Sequence, residues 1–335
     1  MENLSPNMRH DAALMDTFAS LLSDAHCHAD DARFVAVQRK YGVSSVISCA
    51  NGDQWRHTLA WIDGAPDGDE TGGGARTGSS IDSIDDRAVP EAPGAVDARP
   101  DIRVSFGIHP WDANRYRIED ALPYLEQAAI IGEIGLDGEW TDVPLSDQLT
   151  VFEAQLDYAS RLRKPVILHT KSREREVLEL IRKYPNRYMV HWYACDRWQD
   201  EYLGMGCYMS IGPDVTADES VRSLARRIPD DRLLVESDGL ESLTWALGRE
   251  YGVDDYVGAL IDLLRTLAAI RAGGSCGDGC DDRRDGRFGN GPTDDEPRPD
   301  GRLAHDRLET AAIGLAALTR RNLAAFCAPI PSRPL

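Results

Sequence analysis

Short apolar runs alternate with helical patterns along this chain eight times over, and most of the runs close on a histidine or a carboxylate. The runs cover residues 21–28, 44–49, 102–111, 129–137, 165–169, 188–191, 207–211 and 232–238. Their length and β-branched content are those of buried strands. Helical patterns cover residues 31–41, 54–62, 118–127, 147–162, 174–183, 198–203 and 219–228. In the fourth of these, Leu149, Phe152, Leu156 and Ala159 recur at spacings of three and four, which puts them on one helix face. Strand and helix in regular alternation build a parallel sheet. Eight such strands predict an α/β fold, a closed (β/α)8 TIM barrel in which every strand's C-terminal end reaches one mouth. An open doubly wound sheet would instead spread the same polar ends along a line.

Two segments interrupt the pattern. Residues 64–100 and 273–301 are rich in Gly, Asp, Ser and Pro without apolar periodicity, and read as low-complexity, disordered or loosely ordered insertions. Without them about 270 residues remain, close to the roughly 250 typical of a barrel. Residues 1–335 are therefore expected to form a single barrel domain, interrupted twice and closed by helical patterns at 256–269 and 303–326.

No apolar run is long enough to span a bilayer, and residues 1–16 are polar with no signal-peptide pattern, so a soluble cytoplasmic protein is expected. Seven cysteines scattered over 335 residues are unlike a secreted disulfide framework and point to reduced thiols. The net charge of −19 comes with only four lysines, at 40, 164, 171 and 183. An acidic, lysine-poor composition of this kind is expected of a chain kept soluble in a salt-rich, halophilic cytoplasm. It also argues against a basic nucleic-acid-binding face. The Arg-rich stretches 171–175 and 222–227 read as solvated helix faces.

Asp24-Ala-His-Cys-His28 puts two imidazoles at i and i+2 on a strand, hence on one face, with Cys27 turned to the other. Later strand ends add Glu133, His169, His191 and Asp238, giving four imidazoles and two carboxylates. This donor set suits Zn, Mn or Mg and needs no thiolate. Six candidate ligands serve two ions better than one, with a carboxylate bridging ions about 3.5–4 Å apart. Taken singly, His191 would be a packed histidine and Glu133 a buried ion-pair partner; the expectation rests on their coincidence. Cys276-Gly-Asp-Gly-Cys280 has a possible ligand spacing but no second pair, while His10, His57 and His305 read as surface residues.

These pieces resemble, in sequence order, the TatD family of metal-dependent hydrolases within the amidohydrolase superfamily. They are Asp24-Ala-His-Cys-His28, Gly107-Ile-His-Pro-Trp111, Gly132-Glu-Ile-Gly-Leu-Asp137, Pro165-Val-Ile-Leu-His169, Val190-His191 and Leu233-Leu-Val-Glu-Ser-Asp238, with Arg320-Arg-Asn-Leu-Ala-Ala-Phe326 similar to the closing helix. The resemblance implies that His26 and His28 hold one divalent ion and His169 and His191 another, with Glu133 bridging. It further implies that Asp238 completes the first site and accepts a proton from the activated water, making Asp238 and Glu133 catalytic. His109 would orient a substrate phosphate, or would hold the turn at Pro110 by a hydrogen bond. Three stretches depart from the family pattern: Trp192-Tyr-Ala-Cys195 after His191, Ser237-Asp-Gly-Leu240 at the last strand, and Gly138 where an aromatic often follows Leu-Asp.

The resemblance implies hydrolysis of phosphodiester bonds, with DNA or a small phosphodiester as substrate and no obligate protein partner. An amidohydrolase or lactonase acting on small molecules is the alternative, favoured by the acidic surface and altered loops. A metal-binding scaffold without turnover is the third reading.

Overall fold

The computed structural model describes residues 15, 17–64, 100–273 and 299–331. Eight strands follow in chain order: β1 (Ser23–Cys27), β2 (Ser44–Cys49), β3 (Ile102–Phe106), β4 (Ile130–Gly135), β5 (Val166–His169), β6 (Tyr188–Val190), β7 (Tyr208–Ile211) and β8 (Leu233–Val235). Each pairs in parallel with the next, giving one sheet in the order β1 to β8. The seam between the last strand and the first is drawn together by the Asp238 N–H donating to the His26 carbonyl at 3.0 Å. It is reinforced by buried Asp24, which accepts from the Ser237 N–H at 2.9 Å, the Ser237 hydroxyl at 2.6 Å and the Tyr256 hydroxyl at 2.8 Å. The expected (β/α)8 barrel is therefore the observed fold.

The outer helices are α1 (Ala32–Lys40), α2 (Gly52–Ile62), α3 (Ile118–Gln127), α4 (Leu145–Leu162), α5 (Glu174–Ile181), α6 (Gln199–Gly204), α7 (Glu219–Arg227), α8 (Leu240–Leu247), α9 (Tyr256–Arg271) and α10 (Pro299–Cys327). Side-chain caps start several of them: Asp31 accepts from the Phe34 N–H at 3.0 Å, and Asn51 and Asp218 accept from amides of the turns that follow them. Helix α8 was not expected from the sequence, because eight residues between glycines carry too little periodicity to register. Helix α10 begins at Pro299, inside the expected second insertion. Most of the two expected insertions, including Cys276 and Cys280, lies outside the described residues, as does His10.

Inside the barrel, Ala25, Val46, Ile130, Ile167, Met189, Tyr208 and Leu234 pack with Leu323, Phe326 and Cys327 of α10. These apolar layers fill the N-terminal half, each Leu, Ile or Phe contributing on the order of 1.5–3 kcal/mol by burial. Helix α10 is fixed across that end by polar contacts: Asn322 donates to the Leu233 carbonyl at 2.8 Å, and Arg320 to those of Leu22 and Gly42 at 3.1 and 2.7 Å. With the bottom plugged, the polar strand ends face the opposite mouth.

Two irregularities in strand pairing set which side chains reach that mouth. The β1–β2 register shifts between Asp24 and Cys27, and the β4–β5 register between Ile131 and Ile134. Simple alternation would put Ala25 and His26, or Ile130 and Glu133, on opposite faces. The bulges let Ala25 and Ile130 join the plug while His26 and Glu133 enter the site. Cys27 packs outward against Gln38 and the Val46 carbonyl, on the face expected from the sequence.

Candidate metal centre at the barrel mouth

Glu133 is the hub. Its Oε1 lies 2.7 Å from His169 Nδ1, 2.5 Å from His191 Nε2 and 3.5 Å from His109 Nε2. Its Oε2 lies 3.4 Å from His26 Nε2 and 3.9 Å from His28 Nε2. Asp238 Oδ1 faces the same pair, at 3.2 Å from His26 and 3.5 Å from His28. All six sequence-predicted ligands are thus brought together, and His109 joins them. They form three overlapping groups able to hold an ion: His26, His28 and Glu133; His26, His191 and Asp238; and His109, Glu133 and His169.

The residues fit a metal. His26 is fully buried, and neither of its ring nitrogens makes a hydrogen bond of good geometry, although Nε2 lies close to the Glu133 and Asp238 carboxylates. Leaving such atoms dry is costly unless something else satisfies them. Ligand atoms 2.0–2.2 Å from a tetrahedral ion stand about 3.3–3.6 Å apart. The four measured separations among His26, His28, Glu133 Oε2 and Asp238 Oδ1 run from 3.2 to 3.9 Å, close to that spacing. The group around Glu133 Oε1 is tighter, at hydrogen-bond distance, with His169 Nδ1 3.3 Å from His191 Nε2.

Electrostatics keep the carboxylates charged. Burial alone would raise the Glu133 pKa, but the neighbouring His191 and His109 hold it well below the usual range. Burial also opposes ionisation of Asp238, yet His26 pulls its pKa down to about 2. For His169 burial is outweighed by hydrogen bonds to Asp137 and Glu133, which raise it to about 9. Burial lowers the His109 and His191 imidazoles. The cluster therefore sets ionised carboxylates among imidazoles, and the Asp137 and Glu133 hydrogen bonds that favour a proton on His169 mean that a divalent ion would bind there in competition with it.

Supporting residues passed unassigned in the sequence. Asp137, at the end of the β4 run, accepts from His169 Nε2 at 2.9 Å and from the Trp111 indole at 2.7 Å. It thereby turns His169 Nδ1 toward Glu133. Glu236 takes the Trp192 N–H at 2.5 Å and stands 3.7 Å from His191 Nδ1. Ser242 donates to Asp238 Oδ2 at 2.9 Å, tying that carboxylate to α8. Asp137 and Glu236 both lie on strand-end stretches, so the same pattern that marked the ligands could have marked them. His109 Nδ1 accepts from the Trp111 N–H at 3.3 Å, the turn contact considered from the sequence, which leaves Nε2 facing the cluster. Two glycines are required by close approach. A Cβ at Gly135 would lie 1.9 Å from the His169 carbonyl, and one at Gly239, where φ is +89°, would lie 3.1 Å from that of His28.

The departures from the family pattern are visible as shape. At Gly138 a Cβ would meet Arg173 Nε at 2.7 Å, so that side chain occupies the space an aromatic would need. Above the cluster opens a cavity of about 990 Å³ whose walls include Trp111, Trp140, Trp192 and Trp245. His57 stacks on Trp61, and His305 is exposed. The described cysteines, 27, 49, 195, 207 and 327, are all free. No helix among the described residues is long and apolar enough to cross a membrane.

Fold and site together define a (β/α)8 barrel protein with a histidine–carboxylate cluster at the mouth where its strands end. Comparison with known proteins makes the assignment specific: the profile of the family described as TatD related DNase matches residues 23–240, and the chain belongs to that family. It is 33% identical over 144 residues to the 3'-5' ssDNA/RNA exonuclease TatD of Edwardsiella piscicida, covering 39% of this chain and 55% of that one. It is 33% identical over 152 residues to the uncharacterized metal-dependent hydrolase YcfH of Escherichia coli K12, covering 43% and 57%. The chain thus spans little more than half the length of these curated relatives. The fold is that of the Escherichia coli TatD homolog YJJV, with a TM-score of 0.57 at 17% identity, over 90% of this chain and 98% of that one.

Proposed function

We propose that this chain is a two-metal hydrolase that cleaves phosphodiester bonds, acting on single-stranded DNA or RNA ends. The observation that carries the reading is the divided Glu133 carboxylate, whose two oxygens each face a different pair of imidazoles. His26, His28, Asp238 and Glu133 Oε2 would hold one ion, and His169, His191 and Glu133 Oε1 the other. Bound there, Zn, Mn or Mg ions would supply Lewis-acid polarisation of a phosphoryl oxygen and a nucleophilic water at neutral pH.

The chain's own groups then divide the remaining work. Asp238 takes the proton of the attacking water and passes it to the leaving oxygen as the phosphorus–oxygen bond breaks. Ser242, donating to Oδ2, fixes how the carboxylate faces the site. His109 accepts at Nδ1, so its neutral tautomer carries the proton on Nε2, available to a phosphate oxygen. Asp137 orients His169, and the Glu236 carboxyl stands beside His191 Nδ1. The name of the Edwardsiella piscicida relative, an ssDNA/RNA exonuclease, supports a nucleic-acid substrate for this chain. The surplus of acidic residues supports a salt-rich cytoplasm as its setting.

Nucleotide release from single-stranded DNA in molar KCl with Mn²⁺ or Mg²⁺ tests this reading. The wild type is expected to release nucleotides and Asp238→Asn to lose at least a hundredfold in rate; equal release by both, or none by either, overturns it. A second reading, hydrolysis of a small amide or lactone, is favoured by the carboxylates Asp30, Glu139, Glu174 and Glu241 around the cavity, which repel a polyanion. Turnover of such substrates with none on DNA would select it.

A further inference from the structure

Four of the seven tryptophans stand around the mouth of one cavity. Ring centroids are 6.5 Å apart from Trp111 to Trp140, 6.0 Å from Trp140 to Trp245, and 6.3 Å from Trp245 to Trp192, so the four form a continuous arc. Three of them are open to solvent: Trp245 is 67% exposed, Trp140 47% and Trp111 45%. Large apolar rings left wet beside a site mark a binding surface, since folding alone would bury them.

The arc is built on the metal cluster itself. Asp137, which accepts from His169, also receives the Trp111 indole and the Trp140 backbone N–H, at 2.7 and 2.8 Å. Trp245 rides on α8, which Ser242 ties to Asp238. Lys171 lies 4.4 Å over the Trp140 ring, and its partner Glu139 at 3.7 Å offsets its charge. Neighbouring rings meet edge to face or tilted, at 70°, 72° and 57°, so the rim offers aromatic faces turned in different directions, the one on Trp140 shared with Lys171, and almost no free cationic charge.

We infer that this arc is a stacking platform for the unpaired bases next to the bond being cut, and that it captures single-stranded nucleic acid by ring stacking rather than by phosphate charge. The inference rests on the phosphodiesterase reading and names its substrate subsite. Stacking is tolerant of base sequence, but it requires splayed bases, so a duplex is excluded. A site that grips through bases avoids the counterion release that makes ordinary nucleic-acid binding collapse with salt. Added salt also screens the rim carboxylates that would otherwise repel the strand.

The test is tryptophan quenching in the full-length chain with Mg²⁺. The probe is a phosphorothioate pentamer of deoxyadenosine, which keeps its charge and resists hydrolysis, compared with an abasic pentamer of equal charge. The base-bearing strand is expected to bind at least tenfold tighter than the abasic one. Its affinity should hold or rise between 0.1 and 1 M KCl as a roughly flat or positive salt slope. Trp140→Ala and Trp245→Ala should each weaken it about tenfold, with partial recovery in the Phe variants. Equal affinity for base-bearing and abasic strands overturns the inference without any variant having to fold, as does a steep fall in affinity with salt. If nucleotide release from DNA persists in that case, the phosphodiesterase reading stands and only the platform fails.

Discussion

Replacing Asp137 with asparagine should weaken one metal site while leaving the fold intact. The aspartate does two jobs with two oxygens. Its Oδ1 accepts the Glu139 and Trp140 backbone N–H groups, both at 2.8 Å, and asparagine's carbonyl can keep those bonds. Its Oδ2 receives His169 Nε2 at 2.9 Å and the Trp111 indole at 2.7 Å, where asparagine would instead present an NH₂ to two donors. The imidazole then loses its anchor and part of its basicity. Loss of such an outer partner costs about 10–100-fold in metal affinity, or roughly 1.4–2.8 kcal/mol. Calorimetric titration with Mn²⁺ at fixed pH should show two sites, one weakened by that factor and the other changed much less. Far-UV melting would check that the variant is folded. Affinities within twofold of wild type at both sites would refute the claim that Asp137 positions a ligand.

Two further outcomes follow from the same geometry. Gly135→Ala forces a methyl to within 1.9 Å of the His169 carbonyl, so urea unfolding should report a loss of about 3 kcal/mol or more, and a loss near zero would contradict the close approach. Asp214 has one oxygen buried without a partner, and burial with nearby Asp218 pushes its pKa from 3.8 up to about 7. The native state then holds a proton that the unfolded chain has released, so wild-type stability falls as pH climbs from about 4 to 7. Asp214→Asn should remove that dependence and stabilise the protein by up to roughly 4 kcal/mol at pH 8 while changing little at pH 4. Parallel unfolding curves at both pH values, with no gain at pH 8, would count against it.

Much of this organisation was legible in the sequence because barrel chemistry sits at strand ends. His169 and Asp238 each close an apolar run, and a closed parallel sheet leaves such residues one place to meet. What escaped was whatever depended on partners far along the chain. Asp24 has the same parity as His26 and His28, and only the register shift in β1 shows that it turns to Ser237 and Tyr256 instead. Trp140 and Trp245 are distant in sequence and lie in segments without periodicity, so their meeting over the cluster depends on the fold. Helix α8 is too short to show a period, yet it carries both Ser242 and Trp245. Gly138, a departure in pattern, became intelligible once Arg173 was seen in the vacated space.

The central claim is that one carboxylate, Glu133, joins two divalent ions, and metal stoichiometry tests it most directly. Equilibrium dialysis of the full chain against Mn²⁺ or Zn²⁺, followed by elemental analysis, should find two ions per chain. Glu133→Gln should retain at most one, because the amide offers a single acceptor oxygen where the carboxylate has two. One ion or none in the wild type, or two tightly held ions in Glu133→Gln, would contradict the account.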